Sequence, residues 1–209
     1  MYFGLSEDQI FFQDNVKKFL EDQLTLDTVK KITEGEDDLA KEELHKGLIN
    51  LGINNILIPE EYGGLGLDLL FATAVSQSLG EGVATLPFLG PYIVAPTAIK
   101  YGASDNQKEK LFAGMCQNLI NFGIGFSEYF GSRDSSGLNI SDNKVTGKTL
   151  FVLDADFASH VMIADNNGQI GVVSLDSNGI EMIDLTTVDK TRTYKEMHFS
   201  DTPIEILDK

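Results

Sequence analysis

The feature that most restricts the fold is a change of sequence pattern near residue 115. Before that point apolar residues recur at helical spacing, as in Val16, Phe19 and Leu20, which is typical of amphipathic helices. After it they form short β-prone runs separated by Gly, Asn, Asp and Ser, which is typical of strands joined by tight turns. The sequence therefore predicts a helical half followed by a β half.

Capping residues indicate where several helices start. Ser6 with Gln9 and Ser104 with Gln107 have the spacing of a capping box, in which two side chains satisfy each other's backbone N–H groups. We expect helices from about residue 7 to 22, from near Leu26, over roughly 38–51, from Asp68 to Gly80 and over about 105–113.

A further helical stretch is expected from Pro87 toward Tyr101, with Pro96 inside it. Proline removes a backbone donor and clashes with the preceding turn, so Pro96 should kink or split this stretch.

The β half contains several short strand candidates and turn signals. The expected strands lie within 119–126, 145–152, 161–164, 170–173 and 197–199, and the expected turns lie at 142–143, 166–168 and 177–179. Without intervening long helices, such strands favour a small antiparallel barrel or sandwich. The expected fold class is α+β, with a helical domain over 1–115 and a β domain over 116–209.

Composition excludes several classes of function. The chain of 209 residues has 32 acidic and 16 basic residues, a formal charge of −16, which disfavours nucleic-acid and anionic-membrane surfaces. We expect a cytoplasmic protein, because no secretion signal or membrane-spanning run is visible. We expect Cys116, the only cysteine, to be a buried and inert thiol.

The histidines suggest no chemistry of their own. We expect His45 to be solvated and His160 and His198 to have structural roles, because none has the neighbours of a catalytic triad. No metal-ligand spacing is visible, so no metal site is expected.

The stretch IPEEYGGLGLD at 58–68 concentrates three glycines in four positions. It lacks the GxGxxG spacing of a dinucleotide-binding loop, and Asp68 at the start of the next helix would repel a phosphate. We interpret it as a structural corner, with Tyr62 and Leu65 packing back onto the helical half.

Five segments in this order resemble the acyl-CoA dehydrogenases, flavin enzymes that oxidise the Cα–Cβ bond of acyl-CoA thioesters. They are IPEEYGGLGLD at 58–68, YGASDNQKEKLF at 101–112, GFSEYFGSRD at 125–134, VTGKTLFVLDADFASHVMIAD at 145–165 and MHFSDTPI at 197–204. The resemblance implies FAD as cofactor, an acyl-CoA thioester as substrate, an electron-accepting flavoprotein as partner, and a homo- or hetero-oligomer.

The resemblance also implies which residues would hold the flavin. By position they are Phe126, Ser127, Glu128, Phe151, Val152 and Leu153. Ser127 stands at the family's hydroxyl position and Phe151 at the ring-shielding aromatic, while Ser132 could place a hydroxyl near the substrate. The family's catalytic glutamate lies in a C-terminal four-helix domain, so no catalytic base is expected within this sequence.

Departures from the family pattern leave a second hypothesis open. Tyr129 replaces the usual proline, and Leu153 occupies a hydroxyl position where it cannot donate a hydrogen bond. The flavin site could therefore be degenerate, and the chain could be a non-catalytic structural subunit beside an active homologue.

Overall fold

A computed structural model describes residues 4–131 and 136–208. The helical half contains α1 (Glu7–Gln23), α2 (Leu26–Thr33), α3 (Asp38–Asn50), α4 (Leu69–Glu81), α5 (Ala95–Gly102) and α6 (Asp105–Cys116). Short 3₁₀ turns cover Ile53–Asn55 and Glu60–Tyr62. Within the described ranges, no helix is long and apolar enough to cross a bilayer.

The predicted helix caps are confirmed. The Gln9 amide N–H donates to Ser6 Oγ at 3.2 Å, while Gln9 Oε1 accepts from the Ser6 amide at 2.8 Å. Asp68 accepts from two backbone amides at the start of α4. The predicted split at Pro96 is also confirmed, since a π-helical segment (Leu89–Val94) precedes α5 and Pro96 lies in the first turn of that helix.

The β half forms one eight-stranded sheet with short helical insertions. Its elements are β1 (Phe122–Gly125), α7 (Ser127–Phe130), β2 (Gly137–Ser141), β3 (Lys144–Leu153), a 3₁₀ turn (Ala155–Phe157), β4 (His160–Ala164), β5 (Ile170–Ser174), β6 (Ile180–Leu185), β7 (Tyr194–Pro203) and β8 (Glu205–Ile206). The strand order is β6-β7-β3-β1-β4-β5-β8, and β2 pairs with β3.

The expected α+β class is confirmed, but the sheet is not wholly antiparallel. β1 runs parallel to β4, with Phe122 opposite His160 and Gly125 opposite Ile163. Because a parallel pair needs a crossover connection, α7, β2 and β3 all lie between these two strands in the chain. The sequence reasoning also missed β2, β6, β8 and α7.

The two halves share a hydrophobic core. Ile99 and Phe112 of the helical half pack in one buried cluster with Phe122 and Met162 of the sheet. Gln107, at the start of α6, also donates through Nε2 to the backbone oxygen of Ile206 at 2.8 Å. The boundary near residue 115 stays a prediction, because apolar burial is continuous across it.

The glycine-rich corner is held by its own backbone. The amides of Leu65, Gly66 and Leu67 donate to carbonyl oxygens of residues 55, 58 and 56 at 2.9, 2.8 and 2.8 Å. These N–H groups are therefore not presented to a phosphate. Tyr62 packs on Phe112 with ring centroids 5.2 Å apart. Leu65 is 40% exposed, but its Cδ1 lies beside Gly52, just after α3, so both residues pack toward the helical half as expected.

Candidate functional site

The loop after β1 is fastened to β3 by a buried carboxylate. Glu128 is 2% exposed, and its Oε1 accepts from the Leu150 amide at 3.1 Å. The Thr149 hydroxyl donates to Oε2. The Ser127 hydroxyl lies 2.6 Å from Glu128 Oε2 and 2.5 Å from the Leu150 carbonyl oxygen. Glu128 thus positions α7 against the strand instead of facing solvent.

An irregularity in β3 presents an aromatic ring beside this loop. The register between β3 and β7 shifts between Thr149 and Val152, and Phe151 has a φ of +54°. A bulge of this kind redirects a side chain away from strict alternation. Phe151 is 43% exposed, and its ring meets Tyr194 edge-on at 6.3 Å.

The structure brings the two predicted site segments together. The bonds from Glu128 to Thr149 and Leu150 join residues 126–128 to residues 151–153. The Val152 side chain is fully buried in the β core, so only its backbone can meet a ligand. Phe126 is half-buried against the shared core, and Leu153 pairs with Ile124 of β1. Ser132 lies outside the described residues.

Two further exposed aromatic residues lie in α7, next to the predicted site segments. Tyr129 and Phe130, in α7, are 52% and 81% exposed, and their ring centroids are 5.3 Å apart. The aromatic residues of the run FSEYF at 126–130 could have indicated this exposed pair, but the sequence analysis treated Tyr129 only as a departure from the family motif. Exposed aromatic side chains next to a well-anchored loop are suited to contact a flat ligand or another protein surface.

A second feature, which sequence reasoning missed, lies where the helical half meets the end of β3. A cavity of about 330 Å³ is lined there by Thr85, Leu86, Asp154, Phe157 and Arg192, among others. Asp154 follows β3 directly, has a φ of +62° and is 4% exposed. An aspartate tolerates this left-handed conformation better than most residues.

Burial raises the pKa of Asp154 from its ordinary value of 3.8 to about 6. The Arg192 guanidinium and the Gly90 amide oppose this effect, and the Asp156 carboxylate adds slightly to it. Desolvation is the largest effect, because the carboxylate loses more hydration energy on burial than its attraction to Arg192 restores.

We expect the stability of the protein to fall as pH rises from 4 to 6 through Asp154. In this window the unfolded chain has lost the proton while the folded chain retains it, so unfolding releases a proton. The rise of the pKa from 3.8 to about 6 corresponds to a loss of about 3 kcal/mol in the free energy of unfolding at pH 7, relative to pH values below 3.8.

Urea denaturation of the wild type and of Asp154→Asn from pH 4 to 7 checks this. Asparagine fits the same backbone, so the variant should be more stable than the wild type at pH 7, and the gain should vanish near pH 4. A gain that does not change with pH would contradict the assignment.

The expectation that His45 is solvated is wrong. His45 is half-buried, its Nε2 lies 2.9 Å from the Tyr92 hydroxyl oxygen, and its ring lies against Phe157 at 5.2 Å. Burial lowers the pKa of His45, and burial raises the pKa of Tyr92. The neutral pair joins the helical half to the 3₁₀ turn after β3.

Cys116 is also less enclosed than expected. It is half-buried, its Sγ lies 3.6 Å from the Tyr62 carbonyl oxygen, and burial raises its thiol pKa. A raised pKa keeps the thiol protonated and unreactive.

The order of a helical half and an antiparallel-rich sheet is shared with solved acyl-CoA dehydrogenase structures. The family model for the acyl-CoA dehydrogenase N-terminal domain matches residues 6–118. This chain belongs to the acyl-CoA dehydrogenase family.

One curated relative and two solved structures illustrate the likeness. Acyl-CoA dehydrogenase FadE26 of Mycobacterium tuberculosis is 25% identical over 146 residues, which are 67% of this chain and 36% of that protein. The ChsE4–ChsE5 complex from Mycobacterium tuberculosis superposes with a TM-score of 0.84 at 18% identity, over 99% of this chain and 58% of that one. The acyl-CoA dehydrogenase complexed with FAD from Bacillus anthracis gives 0.76 at 16% identity, over 98% and 38%. The two structures show a shared fold, and the chain spans less than two thirds of each of these proteins.

Proposed function

We propose that this chain forms the helical and β portion of an FAD-dependent acyl-CoA dehydrogenase, which oxidises the Cα–Cβ bond of an acyl-CoA thioester. The observation that carries the proposal is the clamp that Glu128 makes between α7 and β3, because it fixes the two segments that resemble the family's flavin-contacting regions. Family membership and the FAD complex of the Bacillus anthracis enzyme support the same reading.

The residues present fit a flat aromatic cofactor. Phe151 is exposed at the bulge, so its ring could cover a flavin, and the backbone around Ser127 and Val152 would hold the polar edge. Leu153 adds apolar contact and no hydrogen bond. FAD, when bound, would supply the electron-accepting ring that takes a hydride from Cβ.

The chain's own residues have orienting roles in this proposal. Glu128 and Thr149 hold the loop still, and the Ser127 hydroxyl is engaged by Glu128 and the Leu150 carbonyl. The proton at Cα would be removed by a carboxylate supplied from a further domain, as the resemblance implies. An electron-accepting flavoprotein would take up the electrons, and the enzyme would act as an oligomer.

We expect the chain to bind FAD and Phe151→Ala to weaken that binding about fivefold, since stacking on an aromatic face contributes about 1 kcal/mol. Titration with FAD, followed by the visible spectrum and flavin fluorescence, measures this. The chain should be titrated alone and mixed with the separate C-terminal domain of an acyl-CoA dehydrogenase.

Phe11→Ala is the matched control, because Phe11 is 70% exposed on α1, away from the loop. It should leave FAD binding unchanged. If no flavin band forms in either arrangement, the flavoenzyme proposal fails.

A further inference from the structure

The cavity beside Asp154 contains buried polar atoms that lack partners. Thr85 and Asp154 are 5% and 4% exposed, and both line the cavity. Over residues 4–131 and 136–208, neither Thr85 Oγ1 nor Asp154 Oδ2 has a hydrogen-bond partner. Buried polar atoms are nearly always paired, so two orphaned atoms on residues that line one cavity suggest a polar occupant.

The same cavity is lined by charges of both signs. Its lining includes the basic residues Lys41, Lys190 and Arg192 and the acidic residues Glu34, Asp38 and Asp154. Lys41 lies over the Phe157 ring at 4.7 Å, and Arg192 donates to the Leu86 carbonyl oxygen. Lys190 is exposed and has no ion pair within the part of the chain that the structure describes.

These charges balance, which restricts the ligand. A simple anion would meet three carboxylates and a simple cation would meet three basic groups, so each would gain attraction and repulsion together. A molecule with separated opposite charges gains at both ends. An ammonium group can donate to Asp154 Oδ2, which lacks a donor, and a carboxylate can accept from the Lys190 ammonium group.

We propose that this cavity binds a small zwitterion carrying an ammonium group and a carboxylate, with the ammonium group on Asp154 and Thr85 and the carboxylate on Lys190 and Arg192. The volume of about 330 Å³ lies at the lower end for small-molecule pockets, which span about 300–1,000 Å³. The cavity lining does not include residues 126–128 or 151–153. A negative result for FAD binding would therefore not contradict this proposal, and a negative result here would not contradict FAD binding.

Calorimetric titration of the full chain tests the site with single-charge analogues as references. We expect at least one of L-serine, 4-aminobutyrate and 6-aminohexanoate, which differ in charge separation, to bind about tenfold more tightly than both butyrate and butylammonium, because each analogue lacks one charged contact. Binding should strengthen between pH 5 and 7, as Asp154 ionises to receive the ammonium group.

Two variants and a control assign the contacts. Asp154→Asn and Lys190→Gln should each weaken the zwitterion about tenfold, and Lys18→Gln, which makes the same charge change outside the cavity lining, should not. Chemical-shift changes in ¹⁵N-labelled protein should centre on residues 85 and 154.

The proposal is overturned if no zwitterion binds more tightly than its single-charge analogues, which would indicate a cavity filled by water. It is also overturned if Lys18→Gln weakens binding as much as Lys190→Gln.

Discussion

We expect Gly64→Ala to destabilise the protein by about 3 kcal/mol or more. A Cβ atom at position 64 would lie 2.1 Å from the Ile58 carbonyl oxygen and 2.5 Å from its carbonyl carbon. The Ile58 side chain is fully buried in the core shared by the two halves, so this backbone cannot move away without disturbing that core. Urea denaturation followed by circular dichroism measures the loss.

Gly80→Ala is the matched control. Gly80 lies in α4, and a Cβ there would meet nothing within 4 Å. The substitution should stabilise the helix by about 0.5–1 kcal/mol. If Gly64→Ala were as well tolerated as Gly80→Ala, the close approach of the corner to Ile58 would be wrong.

The second large effect is expected at Glu128. Glu128→Ala leaves the Leu150 amide and the Thr149 hydroxyl without their acceptor in a region where Thr149 is fully buried. Hydrogen bonds to a charged group contribute about 1.5–3 kcal/mol each, so we expect a loss of about 3 kcal/mol. The loop should also become more mobile, with faster amide hydrogen exchange at residues 127–131.

Comparison with other carboxylate changes separates the clamp from general effects of charge. Glu128→Gln keeps an acceptor for the Leu150 amide and should lose about half as much stability. Glu43→Gln, at an exposed position on α3, should stay within about 0.5 kcal/mol of the wild type. Equal losses for Glu128→Ala and Glu43→Gln would show that Glu128 does not fasten the loop.

Much of the fold could be predicted because its signals are local. Three kinds of signal depend on residues only a few positions apart: the caps at Ser6 and Ser104, the split at Pro96, and the hairpin turn at 142–143. Both residues of that turn have a positive φ. The strands that were missed have weaker signals. Four of the six residues of β6 are exposed, so the strand lacks a clear apolar face, and β2 is a short edge strand held by pairing with β3.

Only part of the candidate site could be predicted from the sequence. The sequence placed residues 126–128 and 151–153 as related segments through resemblance. It did not indicate that Glu128 faces inward, because its partners lie on the distant strand β3. Nor did it indicate that Val152 is core, because the bulge between Thr149 and Val152 breaks the alternation of the strand.

The sequence by itself determined the order of a helical half and a β half, the helix starts and the non-phosphate character of the glycine corner, because capping, periodicity and turn chemistry act over a few residues. Only the tertiary structure decided the parallel pairing of β1 with β4 and the enclosure of Asp154 among groups from distant segments. Burial and electrostatics depend on which segments meet in space, and those contacts have no local signature along the chain.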